Sequence, residues 1–240
     1  PTGQRHCVNS ESLVFVDVDG TLVGREGVPP CVWPEVEALK ALGVRFALVT
    51  GRPGRGEGLL LARRLAPTGL HVYESGAVVL ALEEDPHEPP ARPFHVEALP
   101  EEAAREAVRL ARRLALPLEG YTADGGFFVE GDSPLLEALP RGLQAHVAES
   151  PKMPGVRFVS LTKEGVSKLS AARLVAEAYG LPLSECAMVG DGENDLELLR
   201  AVGVGIAMGN APPSVKRAAQ RVVAPVEACG LAEALRLLRG

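Results

Sequence analysis

The sequence predicts an α/β fold in which a doubly wound parallel sheet is interrupted by a smaller α/β insert. Three observations carry this. Short β-branched apolar runs alternate with helical periodicities over residues 13–73, and the same rhythm resumes over residues 167–238. That is the pattern of parallel strands covered by helices on both faces. Between the two halves the composition breaks, because Glu83 to Pro93 holds four prolines among charged residues, the chemistry of a connecting segment. The residues with the most chemical capability follow directly on strand ends, where open α/β sheets place their ligands.

Taken in order, Leu13-Val-Phe-Val-Asp-Val18 is a buried strand running into the Gly20-Thr21 loop. Pro34 suits a first helical position, and Val36, Leu39 and Leu42 keep helical spacing until Gly43 stops it. Val44–Val49 is a second strand ended by Thr50-Gly51, followed by a helix through Leu59–Leu65 and a strand at Leu70–Tyr73. In the insert an Ala-rich amphipathic helix over Glu101–Ala115 ends before Pro117, and Asp124-Gly125-Gly126 marks a turn between short strands. Ser133-Pro134 opens another helix, and strands are expected at Gln144–Ala148 and Val156–Leu161. The second half then reads as helix Ser167–Tyr179, strand Cys186–Val189, helix Asp195–Ala201 and strand Val204–Ala207. A helix near Ser214–Ala219, a strand at Arg221–Val223 and a helix over Leu231–Leu238 close the chain. The body is therefore expected over residues 1–81 and 162–240, with the insert over residues 82–161.

With 240 residues, 46% hydrophobic and 23% charged, the chain is ordinary for a globular protein, which excludes disorder as its main state. No apolar run reaches the length of a membrane helix, and Pro1–Ser10 lacks the apolar core of a secretory signal. A net charge of −6 and the absence of any Lys/Arg run exclude a nucleic-acid partner. Cys7, Cys31, Cys186 and Cys229 are scattered without a Cys-x-x-Cys pair, so reduced thiols in a cytoplasmic protein are expected. His6, His71, His87, His95 and His146 are equally dispersed and are expected on the surface or satisfied in the core. Arg outnumbers Lys 20 to 5, Asn and Gln number three each, and Pro twenty. High genomic GC or a hot habitat, where amides thin and loops gain proline, produces such a skew.

Four segments at strand ends or a helix start carry chemistry: Asp17-Val-Asp19-Gly20-Thr21, Thr50-Gly51-Arg52, Lys168, and Gly190-Asp191-Gly192-Glu193-Asn194-Asp195. Two aspartates two apart on an extended segment project toward one site. A carboxylate can attack phosphorus, a hard divalent ion held by oxygens cancels phosphate charge, and lysine and hydroxyl groups hold the non-bridging oxygens. Four carboxylates converging on one spot repel by several kcal/mol unless a cation joins them, which calls for Mg²⁺. Zinc is disfavoured because His and Cys are missing from all four segments.

These motifs, in this order, resemble the haloacid dehalogenase superfamily of phosphohydrolases. An α/β insert between the second and third motifs resembles its type II cap branch, which includes Cof-like sugar phosphatases, sucrose-phosphate phosphatase relatives and archaeal phosphoglycolate phosphatases. The resemblance spans nearly all of residues 12–238 and implies a Rossmann-like core with an inserted cap that sets specificity. It implies that Asp17 is the nucleophile forming an aspartyl-phosphate. Asp19 is then the general acid and afterwards the base, a double role requiring a neutral carboxyl at the first step and hence a raised pKa. Thr50, Gly51 and Lys168 are implied to bind the phosphoryl group, and Asn194 to orient it or the Asp17 side chain. Asp17, Asp191 and the backbone carbonyl of Asp19 are implied Mg²⁺ ligands, with Asp195 a ligand or a support for one. Lys163 competes with Lys168, but Gly165-Val-Ser-Lys168 fits the third motif better.

The chain departs from the family at Glu74-Ser75-Gly76-Ala77, where relatives carry Asn-Gly-Ala. Ser75 offers one donor where an amide offers more, and it stands as a substrate candidate together with Arg52, which either reaches substrate or pairs with a carboxylate. Gly209-Asn210-Ala211 matches a late family motif read as a structural loop near the site. Gly51, Gly54, Gly56 and Gly58 read as a flexible loop, Glu193 as a solvated loop residue, and Arg105, Arg109, Arg112 and Arg113 as a solvated helix face. The expectation is a phosphatase of a small phosphorylated metabolite, cytoplasmic and monomeric or homodimeric. The alternatives are a phosphotransferase such as a phosphomutase using the same nucleophile, or a binding module that has lost catalysis.

Overall fold

Alternate residues of the first apolar run bury on opposite faces of one sheet, and this decides the architecture. The computed structural model describes residues 12–84, 91–113, 118–121, 127–130, 143–149, 151–152 and 157–239. In it β1 (Leu13–Val16), α1 (Val32–Ala41), β2 (Arg45–Leu48), α2 (Gly56–Leu65) and β3 (Gly69–Tyr73) follow in the order the sequence predicts. Next come β4 (Val78–Leu82), β5 (Ala91–Val96), α3 (Glu101–Arg113), β6 (Leu118–Tyr121), β7 (Phe127–Glu130), β8 (Leu143–Glu149) and β9 (Arg157–Lys163). The chain ends with α4 (Lys168–Ala178), β10 (Ala187–Gly190), α5 (Leu196–Ala201), β11 (Val204–Ala207), α6 (Pro213–Ala218), β12 (Arg221–Val222) and α7 (Gly230–Arg239).

Five strands form a parallel sheet in the order β12-β11-β10-β1-β2. Val14, Val16, Leu48 and Val189 pack under α1, α2 and α7 through Val36, Leu39, Leu61, Leu65, Leu235 and Leu238. Leu13, Phe15, Ala47 and Met188 pack on the other face under α4, α5 and α6 through Val175, Leu198 and Val215. The fold is therefore α/β and doubly wound, and β1 lies where the strand order reverses. The crevice outside the carboxyl ends of β1, β2 and β10 is the ligand position of such sheets.

β3 continues the sheet through one parallel bridge, Val49–Val72. His71 stands in for the missing ladder bonds: its Nδ1 accepts from the Leu48 amide at 3.0 Å, and Nε2 donates to the Ala66 carbonyl at 3.0 Å. Burial pushes its pKa down to about 4, so the ring stays neutral. It is a satisfied core histidine. His146 is likewise buried and bonded, to Thr162 Oγ1 and the Val166 carbonyl.

Beyond β3 the sequence reading and the structure part. β4 turns back antiparallel on β3, and β5 pairs antiparallel with β4, so part of the proline-rich stretch read as connection is strand. Pro93 is tolerated because among the described residues β5 pairs only with β4, and an edge strand can present a residue without an amide proton. In the insert β6 pairs with β7 and β8 with β9, all antiparallel, while Ala103 and Ala107 of α3 pack on Leu143 of β8. The expected turn at Asp124–Gly126 and the helix opening at Ser133-Pro134 lie outside the described residues. Among the described residues no helix is long and apolar enough to cross a membrane.

The expectation of four reduced thiols is corrected at one pair. Cys31 and Cys229 form a disulfide across 198 residues of sequence, while Cys186 is free and buried; Cys7 lies outside the described residues. Spacing gave no signal because the two cysteines immediately precede α1 and α7, which meet only in the tertiary structure. Closing a loop of that length restricts the unfolded chain by about 5 kcal/mol on the loop-entropy relation, with 2–4 kcal/mol typical in practice. Replacing both cysteines by serine is expected to lower Tm by about 5–15 °C in a calorimetric scan. An unchanged Tm would show that the pair adds nothing in solution.

Candidate active site

Asp17 directly follows β1, and the backbone then turns sharply at Gly20, whose φ is +81°. A Cβ on Gly20 would collide with the Asp191 carboxylate. Only a glycine lets this loop pass so close to the segment that follows β10. Similarly, a Cβ on Gly190 would stand 2.6 Å from Asp195 Oδ2. The glycines of the two aspartate motifs are thus the spaces into which carboxylates from the opposite loop, or from the same one, are folded.

Lys168, the first residue of α4, is 1% exposed and donates to Asp17 Oδ1 and to Asp195 Oδ1, each at 2.6 Å. Its helix is capped by Ser167, whose hydroxyl accepts from the Ser170 amide, so the cap fixes where the lysine starts. Asp195 is fully buried, and its second oxygen accepts from the Asp191 and Gly192 amides at 3.1 and 2.9 Å. Asp191 accepts from Thr21 Oγ1 at 2.8 Å and from Asn210 Nδ2 at 2.9 Å; the same Asn210 amide reaches the Gly20 carbonyl at 2.9 Å. Asn210 Oδ1 in turn accepts from the Val226 amide. Lys163, the competing lysine, is half exposed and pairs with Glu97 away from this cluster.

Asp17, Asp191 and Asp195 each offer a carboxylate oxygen within 4.8 Å of the other two. Against three carboxylates there is one ammonium. Burial first, then Asp195, raises the Asp17 pKa well above its ordinary value, despite the opposing pull of Lys168. Burial and then Asp195 push Asp191 up to about 7. For Lys168, burial works against the charged form, but Asp17 and Asp195 outweigh it and raise its pKa. The lysine stays charged, and the acids are short of positive charge. An all-oxygen set without His or Cys, with excess negative charge, fits a hard divalent ion such as Mg²⁺. Among the described residues, Asp17, Asp191 and Asp195 are the group that could hold it.

Asp19 lies outside that group. Its carboxylate is gripped bidentately by Arg52, Nε to Oδ2 at 2.7 Å and Nη2 to Oδ1 at 2.9 Å. Of the two roles left open for Arg52, the structure shows the pairing with a carboxylate. In this geometry Asp19 is an acceptor through both oxygens, so one of the two bonds opens before that oxygen carries a proton, while the other still orients the carboxyl group on Arg52. Thr50 Oγ1 accepts from the Arg52 amide at 3.0 Å, which leaves its own proton to donate. Ser75, 1% exposed, sits in left-handed backbone at φ 56°, next to Glu74 at φ 50°. Non-glycine residues there store strain and mark functional loops. Ser75 Oγ and Ser160 Oγ of β9 lie 3.2 and 3.7 Å from the point where a Gly51 Cβ would stand. Gly51 is therefore flanked by hydroxyls from both the body and the insert. Asn194 is half-buried, with Oδ1 folded over Gly192. Glu193 is exposed and accepts from Ser214.

Two partners in this cluster carried no role in the sequence reading. Thr21 stood inside the first motif and Asn210 inside the late Gly-Asn-Ala motif, and both hold Asp191. The motif membership was the available signal; the target was not.

Residues 132–235 match the family model described as haloacid dehalogenase-like hydrolase. The chain is similar to YkrA of Bacillus subtilis, 27% identical over 94% of this chain and 97% of that protein. It is also similar to a phosphoglycolate phosphatase of Archaeoglobus fulgidus, 28% identical over 94% of this chain and 96% of the relative. In structure it resembles a phosphatase of the haloalkanoate enzyme superfamily from Bacteroides thetaiotaomicron. That match has a TM-score of 0.75 at 22% identity and covers 99% of this chain and 97% of the other.

Proposed function

We propose that this chain, which resembles the haloacid dehalogenase-like hydrolases over residues 132–235 and phosphatases along nearly its whole length, is a Mg²⁺-dependent phosphatase hydrolysing a small phosphate monoester through an aspartyl-phosphate on Asp17. The observation that carries the reading is the buried Lys168, which holds one oxygen of Asp17 beside Asp191 and Asp195 and leaves the other oxygen for attack. That oxygen forms a bond to phosphorus as the bond to the leaving alcohol breaks, and Asp19 gives the departing oxygen its proton. Water then attacks the phosphorus of the aspartyl-phosphate, Asp19 takes the water proton, and Asp17 is released as a carboxylate together with inorganic phosphate. Lys168 and the Thr50 hydroxyl, beside the Gly51 backbone, hold the non-bridging oxygens. Asn194 and Ser75 complete the binding set, and the Asp19 carbonyl adds to the three metal-binding carboxylates. Bound Mg²⁺ supplies the positive charge that offsets the phosphoryl group.

The insert over residues 82–161 acts as the cap, and its compactness and the hydroxyls around Gly51 support a small polar ester, sugar phosphate or phosphoglycolate-like. The enzyme works in the cytoplasm as a monomer or homodimer. Disulfides inside cells are a property of hyperthermophiles, so the Cys31–Cys229 bond ties this location to the hot habitat suggested by composition; a Tm above the mesophile range of about 45–65 °C is expected.

The direct test is phosphate release from phosphoglycolate, hexose phosphates and flavin mononucleotide with and without Mg²⁺; no release from any ester would overturn the reading. For the acid–base role, Asp19→Asn is expected to lose about 10²–10⁴-fold in kcat on alkyl phosphates and less on p-nitrophenyl phosphate, whose leaving group needs little protonation. Equal losses on the two would remove that role.

A further inference from the structure

A line of alternating charges runs from the insert into the site. Lys152, in the turn between β8 and β9, donates to Glu57 Oε1 at 2.6 Å. Glu57, in the first turn of α2, accepts through Oε2 from Arg52 Nη1 at 2.8 Å. The remaining edge of the same guanidinium grips Asp19. The outer pair is the more exposed, 35% for the Lys152 side chain and 51% for Glu57, against 17% for Arg52 and 18% for Asp19.

We propose that Glu57 and Lys152 are positioning residues for Asp19, joined to it through Arg52, so that seating the insert on the body and orienting the acid–base carboxylate are one electrostatic event. This rests on the reading of Asp19 as the acid–base group. The guanidinium is a rigid planar fork with donors on both edges. Its plane is fixed at one end by Glu57 and at the other by Asp19, so a shift of Glu57 swings the end that holds Asp19. Glu57 is itself fixed from the far side by a residue of the insert. When Lys152 withdraws, Glu57 loses one of its two cations and Arg52 loses a fixed anchor. The bonds reinforce one another in the same sense. Lys152 and then Arg52 hold the Glu57 carboxyl below its ordinary pKa.

Isolated surface pairs contribute little; a shared network with a bidentate inner member is the exception. The outer pair is exposed, so the effect to read is modest. On an alkyl phosphate with Mg²⁺, Lys152→Gln and Glu57→Gln are each expected to lower kcat about two- to fivefold while KM changes less. The double variant is expected to be no slower than either single one, because both break the same line. Lys152→Arg restores the rate. In the unliganded full chain, amides of residues 50–57 are expected to exchange hydrogen faster in Lys152→Gln than in wild type. Wild-type kcat in both single variants, a double variant as slow as the product of the two, or unchanged exchange would each overturn the linkage. The exchange comparison needs no turnover, so it tests the linkage even if wild type proves inactive on every ester, a result that would instead remove the function proposed above.

Discussion

Asp17→Asn is expected to lower kcat by about 10⁴-fold or more, the loss seen when a nucleophile is removed from a concerted site. Its stability is expected to move the other way. Burial and two neighbouring acids press on the ionised Asp17 carboxylate, and a neutral amide relieves that pressure while Lys168 keeps Asp195 as a partner at 2.6 Å. In a chelator-treated sample at neutral pH the variant should melt at or above the wild-type temperature. The two readouts together separate a lost nucleophile from a damaged fold. Phosphate release at the wild-type rate would sink the assignment, and inactivity accompanied by a large fall in Tm would mark Asp17 as structural.

Without divalent ions, the wild-type protein is expected to lose stability at this site as pH rises from about 4 to about 7. Burial and Asp195 push Asp191 up to about 7 from an ordinary value of 3.8. Between those values the folded state keeps a proton that the unfolded state has released, so stability is present below the unfolded pKa and is lost as pH climbs through the folded one. Asp17 contributes in the same direction. Three units at about 1.4 kcal/mol each set a ceiling near 4 kcal/mol, and about 1–4 kcal/mol is expected because Asp191 is only partly buried by surface area. Mg²⁺ binds the ionised acids, so it restores the loss by mass action. The difference in Tm between saturating Mg²⁺ and chelator should be small at pH 5 and large at pH 7.5; other carboxylates cancel in that difference. A difference independent of pH, or absent, would contradict the metal assignment, and Asp191→Asn should flatten the profile.

What the sequence made legible is uneven in an instructive way. Leu13–Val16, Val204–Ala207 and the helices around Val36, Val175 and Leu235 were readable because period and burial agree within each segment. β5 was not, because Pro93 argues against a strand unless the strand lies at an edge, and edges are a property of the assembled sheet. In the site, Asp17, Lys168, Asp191 and Asp195 were expected together, and the structure brings them together. Asp19 was expected beside them; it lies near enough to Asp191 to act on its charge, but its carboxylate is also held by Arg52, which arrives from the β2 loop and which the sequence could not assign to it.

By itself the sequence determined the alternation of strand and helix and the chemical types at strand ends, since both depend on near neighbours and on side-chain identity. Only the tertiary structure decided who meets whom: Lys168 with Asp17 across 151 positions, Asn210 with Gly20 across 190, Cys31 with Cys229 across 198, and Lys152 with Glu57. Coulomb forces, hydrogen bonds and sulfur–sulfur bonding act over a few ångströms of space, and separation along the chain carries no record of which groups folding will place within that reach.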